Sequence, residues 1–459
     1  MTLPPALEAG DIFPDTARAR EDHLEIGGCD VVELAERYGT PLYVYDEASI
    51  LARARGYTKA LASSYPGRSR VCFAAKAYCA PWLLRVLDQE GLGLDVVSGG
   101  ELHAALAVGF PAERIVFHGN NKTRDELEQA FTASIGRIVI DNLEELALVA
   151  RLAGERSVRQ PVLLRIGPDI AARTHSHLQT GATDTKFGLG IASGQAAEGI
   201  RAALAEPSLD LRGIHAHVGS QIFEVSAYTE AVDRLFALAA TLRDTDGFEL
   251  RELSPGGGYG VRYTTEDPPL RTAQVIEEVG ARVVAAADRH GYDQLPDLTI
   301  EPGRSLVASS AVALYRVGSV KSIPGGRTYV AVDGGMADNI RPAAYGAAYT
   351  AVVADRLGER ADTEVAIAGR YCESGDILIQ RVQVPLPRRG DLIAIPSAGA
   401  YQLSMASNYN LVPRPAVVVV AAGKARLVRR RETYADLLRS DIDEERAARV
   451  PTSGPSAAR

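Results

Sequence analysis

Two textures of apolar and polar positions divide the chain. Up to about residue 306, short β-compatible runs alternate with stretches in which apolar residues recur every three or four positions. The runs fall at 71–75, 94–97, 114–117, 137–140, 162–166, 211–218, 250–254 and 298–300. The stretches between them, at 81–90, 100–108, 123–131, 143–153, 195–205, 226–243 and 272–290, read as amphipathic helices. A strand at 41–45 and a helix at about 47–63 precede the series, with Asp46 as N-cap and Ile50, Leu51, Ala54, Tyr57 and Leu61 on one face. Strand and helix thus alternate about eight times over roughly 240 residues, the size of a TIM (β/α)8 barrel. A doubly wound open sheet is the competing arrangement. The barrel is favoured because nearly every strand is followed by residues capable of chemistry: Lys76, Ser98, His118, Asp141, Arg165, His217, Gly256-Gly257-Gly258 and Glu301. In a barrel all those strand ends face one mouth, which holds the active site.

The second texture begins after Leu306. Short β-type runs at 311–320, 328–332, 350–354, 364–368, 377–381, 392–395, 416–421 and 425–428 are parted by Gly, Pro and Asp, with few helical patterns between them. They predict a C-terminal all-β domain, sandwich or barrel-like, over 307–435, after a barrel over 46–306. Residues 1–40 are mixed in pattern. The strand at 41–45 has no partner inside a barrel, so segment 1–45 is expected to join the β domain. The end of the chain, 436–459, is charged and then small and polar, and is expected to form a helix or tail that frays.

Composition removes alternatives. At 459 residues the chain is too long for one ordinary core. A formal net charge of -8 argues against a nucleic-acid surface. No apolar run approaches a membrane span, and the first ten residues lack a basic start followed by an apolar core, so neither membrane nor secretory signal is expected. Cys29, Cys72, Cys79 and Cys372 lie too far apart for a zinc ligand set and suit a reducing cytoplasm as buried thiols. The pairs His175/His177 and His215/His217 have no carboxylate or cysteine at regular spacing, so no metal is expected.

The strand ends carry the candidate chemistry. Lys76 is either a lysine snorkelling off a strand end or an amine in a dry pocket, ready to form a Schiff base. The glycines 256–258 follow the seventh strand, where many barrels bind phosphate through backbone amides. They do not make a GxGxxG run opening a helix, so a dinucleotide fold is not supported. In Glu301-Pro302-Gly303-Arg304, the acid and base either form a salt-bridged loop pair or act separately. In the second case Glu301 sits at a cofactor's ring nitrogen and Arg304 is free for a substrate carboxylate. His215 and His217 share a face by strand alternation. They are satisfied within the barrel, or His217 stacks on a flat ring while Ser220 donates to a phosphate. In the β domain, the stretch from Asp333 to Pro342 with Tyr345, and that from Gly369 to Asp376, read as polar glycine-rich loops. Cys372 reads as exposed beside Glu373 and Asp376, carboxylates that tend to keep a thiol protonated as a proton donor. Tyr401 is a core tyrosine or a free phenol.

Taken in order, these stretches resemble the motifs of the fold type III pyridoxal-phosphate decarboxylases. The matching pieces are Phe73-Ala74-Ala75-Lys76-Ala77, Asp95-Val96-Val97-Ser98-Gly99-Gly100-Glu101-Leu102, Phe117-His118-Gly119-Asn120-Asn121-Lys122, Lys186-Phe187-Gly188-Leu189, His217-Val218-Gly219-Ser220-Gln221, Gly256-Gly257-Gly258, Glu301-Pro302-Gly303-Arg304, Asp333-Gly334-Gly335-Met336, Arg341-Pro342 with Tyr345, Cys372-Glu373-Ser374-Gly375-Asp376 and Gly399-Ala400-Tyr401. The resemblance implies pyridoxal 5'-phosphate on Lys76, Glu301 at its ring nitrogen and His217 stacked on the ring. Ser220, Gly256 to Gly258 and Tyr401 would hold the phosphate, with Pro302, Gly303 and Arg304 beside the cofactor. Arg304, Arg341, Tyr345, Glu373 and Tyr401 would grip the substrate's distal amino acid end, and Cys372 would reprotonate the carbanion. It also implies a homodimer whose sites are shared, the Cys372 loop crossing over. Glu373 after Cys372 favours meso-2,6-diaminopimelate, giving L-lysine, over ornithine, arginine or carboxynorspermidine. Glu301, as a strong electron sink, disfavours a racemase. A non-enzymatic carrier of the cofactor would leave the β domain unexplained. The His175-Ser176-His177 stretch departs from the family's aromatic or apolar pattern.

Overall fold

Eight parallel strands close on themselves: Ser69–Ala74, Gly93–Val96, Ile115–Phe117, Arg137–Ile140, Gln160–Gly167, Leu209–His215, Glu252–Gly257 and Asp297–Glu301. Each pairs with the next, and the last pairs with the first through Leu298 opposite Ser69. Closure leaves no free edge and removes the doubly wound alternative. The arrangement is that of a computed structural model, which describes residues 4–170, 186–269 and 272–442. The His175-Ser176-His177 stretch and residues 443–459 of the tail lie outside the described residues.

Side-chain caps explain where several outer helices begin. Ser98, Thr123 and Asn142 accept hydrogen bonds from the amides of Glu101 (3.2 Å), Glu126 (3.3 Å) and Glu145 (2.9 Å), satisfying donors that a helix start leaves open. No long helix follows the eighth strand. Its place in the ring is filled by Glu47–Ser64, which precedes the first strand and packs against Thr272–Arg289. Asp46 caps that helix, accepting from the Ser49 amide at 3.1 Å, and Ile50, Ala54, Tyr57 and Leu61 are buried along it.

The seventh strand runs on through Gly257, past the expected end at 254. A Cβ on Gly257 would collide with the Glu301 carbonyl, and one on Gly256 with the Ala216 carbonyl. Glycine here lets strands six, seven and eight approach one another at the mouth.

The second sheet is organised by the long strand Ala311–Ser322. It pairs with Thr328–Val332 at one end, and with Leu392–Ile395 and Leu42–Asp46 at the other. Leu42–Asp46 also pairs in parallel with Ala416–Ala421, so the chain enters the barrel from inside this sheet. Residues before it form a small sheet, Arg18–Arg20, His23–Ile26 and Cys29–Asp30, then the helix Val31–Tyr38. Leu24, Ile26 and Leu34 pack with Val44, Val312 and Val418 in a second apolar cluster. Of the four cysteines expected as buried thiols, only Cys72 is fully buried, and Cys372 is exposed. The described chain ends shortly after a single helical turn, Tyr434–Leu437. No helix among the described residues is long and apolar enough to cross a membrane.

Candidate active site

A cavity of about 460 Å³ opens at the C-terminal ends of the barrel strands. Lys76, His118, Arg165, His217, Gly258 and Glu301 reach it from six different strand ends; from the β domain, Arg341 and Tyr345 reach it from the short helix Arg341–Tyr345, where the sequence reads as loop, and Tyr401 from a loop. Lys76 lies on the single turn Ala75–Ala77 that follows the first strand. Its side chain is exposed to the cavity and makes no hydrogen bond or ion pair among the described residues. The β domain holds this turn in place: the Tyr401 amide (2.9 Å) and the Ser404 hydroxyl (3.1 Å) both donate to the Ala77 carbonyl. Tyr401 does so from a left-handed backbone, φ +56°, which few non-glycine residues adopt.

The floor of the cavity is built around Glu301. His215 Nε2 lies 3.0 Å from one carboxylate oxygen, and the Ser254 hydroxyl donates to the other at 2.6 Å. Burial alone would raise this acid. The imidazoles of His215 and His118 and the two hydrogen bonds outweigh it, holding the carboxyl well below its ordinary range. Burial, together with Lys76 and Arg165, holds His217 well below the usual imidazole value, so its ring is neutral. Burial also keeps His118 neutral, and burial beside Glu301 pushes Asp95 well up. Asp95 Oδ1 and His118 Nε2, 3.6 Å apart, have no hydrogen-bond partner among the described residues. His118, His215 and Glu301 each bring a ligand atom within 4.8 Å of the others. The carboxylate company that residue spacing did not reveal for His215 therefore comes from the eighth strand.

The wall has the opposite character. Arg304 donates to the Tyr263 hydroxyl at 2.6 Å and to Ser220 Oγ at 3.1 Å, and its guanidinium lies 4.6 Å from the Tyr401 ring centroid. Arg341 donates to the Tyr349 hydroxyl at 2.6 Å and lies 4.7 Å from the Tyr263 ring centroid. Both arginines are buried, and neither pairs with a carboxylate among the described residues. Glu301 and Arg304 are thus not a salt-bridged pair: each has other partners.

The cavity gathers Lys76, His217, Ser220, Gly258, Glu301, Gly303, Arg304, Arg341, Tyr345 and Tyr401 from the sequence-based set. Of the three glycines only Gly258 lines it. The Gly256 amide donates to Ser254 Oγ at 3.1 Å and the Gly257 amide to His217 Nδ1 at 3.4 Å. Pro302 is buried, its carbonyl accepting from the Ala74 amide at 3.1 Å. Cys372 and Glu373 are exposed and do not line the cavity of their own chain. Asp376 is not a surface neighbour of the thiol. It is buried, accepts from the amides of Met336 (2.7 Å) and Tyr371 (2.8 Å), and shapes the loop from within. Ser98 is occupied as a helix cap, and Asp141 lies 3.8 Å from Arg165 without lining the cavity. Asp95 was missed as a lining residue, although a carboxylate inside the apolar run Leu94-Asp95-Val96 was a signal. Tyr263 and Tyr349 carried none.

Fold and site together define a decarboxylase that uses pyridoxal phosphate. The family model described as pyridoxal-dependent decarboxylase, pyridoxal binding domain, matches residues 47–308. The chain is 49% identical over 420 residues to the diaminopimelate decarboxylase of Bacillus subtilis (strain 168), covering 92% of this chain and 95% of the relative. The solved diaminopimelate decarboxylase from M. jannaschii in complex with L-lysine superposes with a TM-score of 0.87 at 34% identity, over 94% of this chain and 99% of that one. A lysine/ornithine decarboxylase from Vibrio vulnificus complexed with putrescine, TM-score 0.70 at 22% identity over 85% of this chain and 97% of that one, shares the fold. The chain belongs to the pyridoxal-dependent decarboxylases and, within them, to the diaminopimelate decarboxylase family. Its residues fit the cofactor: an unengaged amine at Lys76, an ionised Glu301 across the cavity, and Gly258, where a Cβ would strike the Gly219 carbonyl.

Proposed function

We propose that the chain decarboxylates meso-2,6-diaminopimelate, releasing CO2 and L-lysine. The observation that carries this reading is the opposition of charge within one cavity: an ionised carboxylate on the floor, and on the wall two guanidinium groups without carboxylate partners among the described residues. Bound there, pyridoxal phosphate supplies an aldehyde that captures the substrate amine and an aromatic ring that accepts electrons. Lys76 would hold it through its amine. Glu301, fixed by His215 and Ser254, would accept a hydrogen bond from the protonated ring nitrogen, a use that excludes a metal ion on the same atoms. Neutral His217 would lie against the ring. Ser220, Gly258 and Tyr401 would face the phosphate, while Gly256 and Gly257 act by keeping the strands close. Arg304 and Arg341, with Tyr345, would receive the distal carboxylate and so orient the other end for loss of CO2. Ornithine has no distal carboxylate for that wall. The bond from Cα to the departing carboxylate breaks, and a proton from Cys372 Sγ takes the place of CO2.

Cys372 and Glu373 stand exposed and off the lining of their own chain's cavity, which supports a homodimer in which each loop completes the partner's site. The same reading divides the chain into a cofactor-binding barrel, 46–306, and a β domain, 307–435, that carries the shared loop. Four unbridged cysteines suit the reducing cytoplasm, where we place the enzyme. Mixing inactive Lys76→Ala with inactive Cys372→Ala tests the shared site. Random re-pairing gives one intact site in half of the dimers, and CO2 release from diaminopimelate returns to about a quarter of wild type. No recovery after subunit exchange would place both residues in one chain's site. No CO2 release by the wild type, with pyridoxal phosphate added, would end the functional reading.

A further inference from the structure

We infer that Tyr263 is a positioning residue for the substrate's distal carboxylate: it bridges Arg304 and Arg341 and sets the spacing of their guanidinium groups. The inference rests on the proposed decarboxylation of diaminopimelate. Two buried like charges on one wall repel, and the usual remedy is a carboxylate between them. Here the spacer is a phenol. Its hydroxyl accepts from Arg304 Nη1 at 2.6 Å, and its ring centroid lies 4.7 Å from the Arg341 guanidinium. Burial would push the phenol up, but the two guanidinium groups, Arg304 first, pull it below its ordinary value, so both attract it.

The spacer is itself held. The Tyr263 amide donates to Asp267 at 2.9 Å, and Gln221 ties down the adjacent Val261 through its amide (3.2 Å) and its carbonyl (2.6 Å). Tyr349 stands edge-on to the Tyr263 ring at 5.0 Å and accepts from Arg341 at 2.6 Å. A phenol is uncharged in its ordinary state, whereas an Asp or Glu in the same place would bring a full negative charge against the wall. Arg304 Nε still lacks a hydrogen-bond partner among the described residues. The wall is therefore set for an anion before the anion arrives.

The test is Tyr263→Phe in the holoenzyme, which keeps the ring under Arg341 and removes the hydroxyl from Arg304. The visible absorption of the bound cofactor stays as in wild type. KM for diaminopimelate rises about tenfold while kcat moves less than about threefold, the size expected for one hydrogen bond to a charged group. L-lysine, which keeps the distal carboxylate, loses about the same factor as an inhibitor, whereas cadaverine, which lacks it, loses none. Equal weakening of lysine and cadaverine would reduce Tyr263 to a packing residue. An unchanged lysine constant would overturn the inference outright. So would a wild type that holds lysine no better than cadaverine. A wild type that prefers lysine yet releases no CO2 from diaminopimelate would sink the functional reading alone. In the double variant with Arg304→Lys, the KM effects are less than multiplicative, because Tyr263 acts through Arg304; fully multiplicative effects would contradict that.

Discussion

Two buried carboxylates, one in each half of the molecule, end in opposite states. Glu301 on the barrel floor is 8% exposed, and Asp338 between the β-domain loops is 2% exposed. Burial pushes both up. Glu301 faces His215, His118 and the Ser254 hydroxyl and is held well below the carboxylate range. Asp338 has the Gly335 amide in its favour at 3.0 Å, but its charged neighbours include Asp333 and Asp376, and it is pushed up to about 7. Burial sets the penalty in both places, and the partners decide its outcome. A carboxylate kept ionised out of water, with imidazoles on one side and an open cavity on the other, is arranged for a ligand. One left to take up a proton among other acids is arranged for packing.

The sharpest way to break this comparison is to remove the floor charge and keep its shape. Glu301→Gln lowers kcat by about a thousandfold, the scale of losing one preorganised electrostatic partner, while the cofactor's visible absorption persists through Lys76. Wild-type turnover in that variant would make Glu301 a structural acid like Asp338. The wall gives a smaller effect on a different constant. Arg341→Ala raises KM for diaminopimelate by about thirtyfold, as one charged hydrogen-bonding group is lost, and leaves inhibition by cadaverine unchanged. A change in kcat alone would move Arg341 from the substrate to the chemistry.

How much of this could be read from residues alone depended on how locally each feature is encoded. The barrel strands and helices were legible because apolar periodicity is a local signal, and Asp46 and Thr123 mark helix starts. Lys76, His217, Glu301 and Arg304 were legible because strand ends in a barrel must converge. What was not legible is pairwise and non-local. Nothing in the stretch around His215 foretold a bond to Glu301, 86 residues away. Glycines 256 and 257 suggest a phosphate cradle in sequence; that the carbonyls of Ala216 and Glu301 leave no room for a Cβ on either is not readable there. Asp376 reads as a companion to Cys372 until the backbone turns it inward to hold Met336 and Tyr371. The tyrosines that hold the arginine wall look like any core aromatic.

The smallest effect on turnover, and the cleanest contrast in pH, is expected from Asp338→Asn. An acid whose folded value is raised has its stabilising contribution intact below the unfolded value of 3.8, and loses it as pH climbs to about 7. The asparagine variant has no such loss, since its carbonyl can still accept from the Gly335 amide. Its advantage over wild type therefore opens above pH 4, widens by about 1.4 kcal/mol per pH unit and levels off near pH 7, at a ceiling on the order of 4 kcal/mol. Denaturant unfolding of both proteins from pH 4 to 8 checks this, with kcat near wild type because the carboxylate does not line the cavity. A constant gap across that range would mean that Asp338 keeps its charge when buried. Arg431, which faces Asp338 and Asp333, would then outweigh the Asp333 and Asp376 carboxylates, and the contrast with Glu301 would be one of location alone.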